Sequence, residues 1–149
     1  MAVDGKTLRG ARPQAPDGGG RPAHLLACID HASRAVLAQR QVGGSPEEVP
    51  AFAPLVVPLD LAGVVVTADA LQTYPAAAEF LVTGKPAHYL LVVRANQPTL
   101  LDRCAAMPWH SVPVGDRTRD RAHGRVELRT LKVVSVVDSF RDILHTAGR

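Results

Sequence analysis

The sequence predicts an α/β fold in which a meander of three strands is followed by strand–helix units in one mixed sheet. Three observations lead there. The segment "HLLACIDHASRAVLAQRQV" from His24 has two apolar stretches around a polar turn, which is a hairpin signal. "GVVVTAD", "ALQTYPAAAEFLVTG", "HYLLVVRAN" and "QPTLLDRCAAMPW" then alternate strand-like and helix-like patterns. Continuous apolar strands between helices indicate a buried, largely parallel portion of sheet.

Taken in order, "MAVDGKTLRG" opens with a short strand, and "ARPQAPDGGGRP" is a loop that cannot continue regular structure. The hairpin from His24 supplies the second and third strands. "SPEEVPAFAPLVVPLDL" begins as a helix, with Glu47 and Glu48 in the first turn, and its later prolines predict that this helix is short or broken. A fourth strand follows, from Gly63 to Asp69. The next helix starts near Thr73 or Tyr74 and stops at Gly84, and Pro98 sits in the first turn of the helix after that. "HGRVELRTLKVVSVV" alternates as a strand does, while "DSFRDILHTAGR" reads as a polar end without a pattern.

Length and composition set bounds. With 149 residues, 46% of them hydrophobic, one domain with one core is expected. No apolar run of membrane-spanning length and no signal-peptide pattern is visible, so the expected location is cytoplasmic, with no membrane partner. Cys28 and Cys104 lack metal-ligand spacing and are expected to be small buried residues. The charge of +3 is concentrated between Gly115 and Lys132, where Arg117, Arg119, Arg121, Arg125, Arg129 and Lys132 face Asp116, Asp120 and Glu127. Such a segment is either a solvated face or a phosphate-backbone contact.

The chemistry centres on two aspartates. In parallel α/β sheets, ligands bind at the carboxyl ends of strands, and Asp69 stands where a buried strand stops. It could equally begin the following helix as a cap. Asp4, on the first strand, is either part of an Asp-Gly turn or, if its strand lies beside the fourth, the neighbour of Asp69. Two close carboxylates need a cation. Mg²⁺ or Mn²⁺ takes carboxylate oxygen, keeps waters, and suits phosphodiester chemistry when a third acidic ligand is present.

Four segments in order, "AVDGKTLRG", "VVVTADAL", "HYLLVVRANQPTLL" and "HGRVELRTLKV", resemble the H-repeat-associated group of insertion-sequence DDE transposases. The likeness implies an RNase H-like fold over residues 1–136, incomplete at both ends, with 137–149 a tail that matches nothing in the group. It also implies an enzyme that cleaves and rejoins DNA with Mg²⁺, with the ends of an insertion sequence as partner. Asp4 and Asp69 would be the first two catalytic, metal-binding aspartates. Asn96 and Gln97 match the group's Asn-Gln pair, near the site or the DNA, or capping the next helix. His123, Gly124, Arg125, Glu127 and Arg129 fit its HGRxExR pattern, a DNA-facing strand or hairpin.

The group's third acid lies on a downstream helix that this sequence does not contain. Glu127 is a candidate substitute as a third catalytic acid, although pairing with an arginine of its own strand is the simpler role. Losing the third ligand would impair cleavage and leave one sheet face uncovered, so a homo-oligomer is a possible further state. Two rival readings stay open. One is a DNA-binding remnant without activity, and the other is an unrelated Mg²⁺ phosphohydrolase that would need a phosphate loop such as Gly18, Gly19 and Gly20.

Overall fold

A computed structural model describes residues 1–11, 22–43, 45–122 and 124–135. Strands β1 (Ala2–Leu8), β2 (Ala23–Ile29) and β3 (Val36–Val42) form the expected antiparallel meander. Helix α1 (Ser45–Val56) leads to β4 (Val65–Ala68), a 3-10 turn (Ala70–Gln72), α2 (Pro75–Glu79), a π-turn (Phe80–Gly84) and β5 (His88–Leu91). Helix α3 (Pro98–Ala105) and a hairpin of β6 (Asp116–Ala122) and β7 (Arg125–Leu131) follow. The five-stranded sheet runs β3-β2-β1-β4-β5, with β1, β4 and β5 parallel. This is the mixed α/β sheet expected of an RNase H-like domain. No helix among the described residues is long and apolar enough to cross a membrane.

One face of the sheet carries the core. Alternation along the strands turns Val3, Leu26, Cys28, Val42, Val66 and Ala68 inward, where Ala51, Phe52, Leu55, Val56 and Leu81 meet them. The expectation of a short or broken helix at Ser45 is corrected here, because α1 is 12 residues long and passes through Pro50 and Pro54. Each proline removes a helical N–H donor. Both rings lie on the exposed side, however, while Glu48, Ala51, Phe52, Leu55 and Val56 form one buried stripe at helical spacing. Burying Phe52 alone contributes about 1.5–3 kcal/mol, enough to offset much of one proline's penalty.

Two expectations stood for the second face, buried apolar strands from the residue pattern and one uncovered sheet face from the resemblance. Val65 is 49% and Leu90 65% exposed, so the first does not hold at these residues. Their neighbours Val64, Tyr89 and Leu91 only lean on the core from its edge. An apolar run records that both sides can be covered, not that covering elements lie nearby. Of the two cysteines, Cys28 is buried and its thiol is pushed up to about 11 by desolvation. Cys104 is only half-buried on α3, so the expectation of two buried thiols holds for one.

A polar group inside the core pins α1 to the sheet. The His24 ring, on β2, donates from Nε2 to Glu48 Oε1 at 2.5 Å, and its Nδ1 meets Thr7 Oγ1 at 2.7 Å. The Gln72 amide donates to Glu48 Oε2 at 3.4 Å. A Cβ on Gly5 would overlap the Glu48 carboxylate, so this close approach of helix to strand requires glycine. One side chain thus ties β1, β2, α1 and the 3-10 turn together.

Two predictions follow from this packing. Glu48→Ala should lower stability by about 3 kcal/mol in urea unfolding, because His24 and Gln72 would remain buried without their partner. A loss below half that value would mean the group is wetter than its burial indicates. With a thiol-reactive chromophore at mildly alkaline pH, the native protein should label at Cys104 first and at Cys28 only on unfolding. Equal rates would contradict the packing of Cys28.

Candidate functional site

The site lies where β4 ends. β1 and β4 pair in parallel through Ala2↔Thr67 and Val3↔Ala68, which makes Asp4 and Asp69 the next residues of neighbouring strands. Strands in a sheet are about 4.8 Å apart. Val3 and Ala68 point into the core, so by alternation Asp4 and Asp69 point to the opposite face, and both are exposed. Asp69 keeps this extended conformation, with φ −74° and ψ −178°. Continuous pairing of β1 with β2, Asp4 opposite Ala27, shows that Asp-Gly here is strand rather than turn.

Asp69 also takes the other role open to it. Its Oδ1 accepts from Leu71 N at 3.0 Å, capping the 3-10 turn. One carboxylate oxygen orients the side chain, and the group remains exposed for a ligand. Among the described residues neither Asp4 nor Asp69 has an ion-pair partner. The pair is thus two carboxylates, one on β1 and one just past the end of β4, a donor set that fits a hard divalent cation. Among the described residues no third His, Cys, Asp or Glu stands with them.

The loops after β4 and β5 are stitched together around this point. Thr73, buried behind the site, donates from Oγ1 to Val92 O at 2.7 Å and lies 3.2 Å from Asp69 O. Asn96 Nδ2 donates to Ala70 O at 2.6 Å, which brings Asn96 beside the residue that follows Asp69. Gln97 precedes α3 without a side-chain capping bond. Nothing in the sequence marks Thr73 as part of the site rather than a helix start, or marks His31, whose Nε2 lies 3.2 Å from Thr67 Oγ1. A threonine two residues before an aspartate and another four after it carry no motif, and only the strand register relates them to the site.

The remaining candidates occupy the hairpin. Arg117, Arg119 and Arg121 are on β6, Arg125, Glu127 and Arg129 on β7, all exposed. Arg129 Nη2 donates to Glu127 Oε2 at 2.6 Å. Glu127 therefore has the pairing with an arginine of its own strand that its sequence position allowed. Gly124, at φ +76°, turns the chain between the strands. His123, the glycines 18–20 and the tail 137–149 lie outside the described residues.

No family model matches the chain. It is 30% identical over 142 residues, 93% of its length, to the "Uncharacterized protein in dhlA 3'region" of Xanthobacter autotrophicus. It is also 30% identical over 147 residues, 95% of its length, to the "Putative transposase YncI" of Escherichia coli O157:H7. The chain spans 47% and 37% of these two relatives. In structure, 81% of the chain superposes with a TM-score of 0.50 on 28% of a piggyBac transposase chain, determined by cryo-EM in a synaptic complex with hairpin DNA. At 18% identity this likeness is one of fold.

The double role of Asp69 can be separated. Asp69→Ala should cost about 1 kcal/mol in urea unfolding through the lost cap, whereas Asp69→Asn keeps a capping oxygen and should stay within about 0.5 kcal/mol of wild type. Equal losses for the two would show that the Leu71 bond contributes nothing.

Proposed function

We propose that this chain is part of the catalytic domain of a DNA transposase of the DDE class, akin to the H-repeat-associated group. The observation that carries the reading is the placement of Asp4 and Asp69 each one residue beyond the last parallel pair, Val3 with Ala68, with exposed carboxylates and no ion-pair partner among the described residues. The likeness to a relative named as a transposase, over 95% of this chain, supports it.

In this reading Asp4 and Asp69 are the residues that would hold Mg²⁺ or Mn²⁺. Bound there, the cation would supply Lewis-acid activation of a water or 3′-hydroxyl and stabilise the leaving oxygen of a phosphodiester. Asp4 is held within β1, and Asp69 is held at the end of β4 by its bond from Leu71 N, which keeps them fixed against their mutual repulsion. Thr73 and Asn96 hold the loop behind Asp69, so the carboxylate does not swing when substrate arrives. The hairpin meets the DNA backbone through part of its arginines, a contact that weakens with salt. Glu127 belongs with Arg129 rather than with the metal pair. With only these two acids together among the described residues, this reading expects the cation to be held weakly and cleavage to be impaired.

A second reading, a DNA-binding protein without catalysis, is favoured by one observation, the lack of a third acid beside the pair among the described residues. The test is nicking of labelled DNA carrying the element's ends, with Mg²⁺ or Mn²⁺, by the wild type and by Asp69→Asn, alongside Mn²⁺ titration of both. The proposal expects Mn²⁺ affinity to fall at least about tenfold in the variant, and any nicking to vanish with it. Equal Mn²⁺ affinity in the two proteins would contradict the assignment. Mn²⁺ binding without any nicking would leave the second reading.

A further inference from the structure

The hairpin distributes its charges unequally. Cross-strand partners in an antiparallel ladder point to the same side, and successive residues of a strand point to opposite sides. The register pairs Arg117 with Thr130, Arg119 with Leu128 and Arg121 with Val126. One face therefore carries three arginines and no carboxylate. The other carries Asp116, Asp120 and Glu127 with Arg125 and Arg129. On that second face the charges answer one another, since Arg129 bonds Glu127 at 2.6 Å and stands 3.8 Å from Asp120. All these side chains are exposed. The excess positive charge of the strands, which the sequence spreads over both, thus sits on one side.

We infer that the Arg117, Arg119 and Arg121 face is the surface that binds the phosphate backbone of duplex DNA, and that Arg125 and Arg129 do not take part. Alternate residues of a strand stand about 6.7 Å apart, so the three guanidinium groups form a regular row of cations on one rigid edge. Such a row meets a row of phosphates better than scattered lysines do, because each guanidinium can bond two phosphate oxygens. Val126 and Leu128, 54% and 61% exposed beside the row, offer apolar contact to the sugars. The carboxylates of the opposite face would repel the same backbone. The choice of DNA as partner rests on the function proposed above; the division of charge between the faces does not.

The test is binding of a short labelled duplex of arbitrary sequence, followed by anisotropy across a salt series. Replacing Arg117, Arg119 and Arg121 together by Gln should weaken binding at low salt at least about tenfold, and reduce the slope of log K against log salt by about three. Replacing Arg125 and Arg129 by Gln should change affinity less than about twofold. A triple Arg→Lys variant should restore the salt slope, which guards against a hairpin that has merely lost its structure. Loss of binding in the Arg125 and Arg129 variant, with the triple Gln variant unaffected, would overturn the face while leaving DNA as the partner. Wild-type protein that ignores the duplex, or prefers polyglutamate to it, would overturn the DNA reading itself.

Discussion

Two residue pairs, Ala2 with Thr67 and Val3 with Ala68, join the meander to the α/β half of the sheet, and the candidate site depends on them. Parallel pairing is short here, and backbone bonds of Met1 extend it. Thr67 N donates to Met1 O at 2.8 Å, and the Met1 ammonium donates to Val65 O at 3.0 Å. A slip of one residue between β1 and β4 would send one of the two aspartates into the core and the other out. The burial of Val3 and Ala68 forbids that slip. The same burial that stabilises the sheet therefore decides where the acids stand.

The Glu48 group reinforces this arrangement from the other side of the sheet. It reaches Gly5, next to Asp4, and Gln72, three residues after Asp69, so one buried carboxylate touches both segments that carry the exposed pair. Gln72 Oε1 is buried without a partner among the described residues, which is an energetic penalty within the group. A polar cluster of this kind stabilises less than an apolar one of equal volume, but it accepts one geometry only. Rigidity at the back suits a front that must keep two like charges close.

Much of this was legible in the sequence, and what was not has physical causes. The meander and the fourth strand could be read because apolar residues recur with a period of two or in short runs bounded by turn residues. β6 could not, since "DRTRDRA" offers no apolar alternation, and its strand exists only by pairing with β7. Helix α1 ran through two prolines because tertiary burial of Phe52 and its neighbours outweighed local propensity. An uncovered sheet face was expected from the resemblance, but that Val65 and Leu90 lie on it was not readable, because the residues themselves do not say what covers them. At the site, Asp4 and Asp69 stood out as acids beside apolar runs, and the motif carrying Asn96 pointed to the same place. Thr73 and His31 join through side-chain hydrogen bonds that only the folded chain brings into reach. The two faces of the hairpin needed the register, since a count of arginines treats all five alike.

The most direct test of the account is a paramagnetic one. Substoichiometric Mn²⁺ added to the labelled protein should broaden the amide resonances of Asp4, Gly5, Asp69, Ala70 and Asn96 first, leaving the hairpin around Glu127 sharp. That pattern would place a divalent cation between the two aspartates. Broadening centred on Glu127, or spread evenly over the surface acids, would contradict the claim that strand register builds the site.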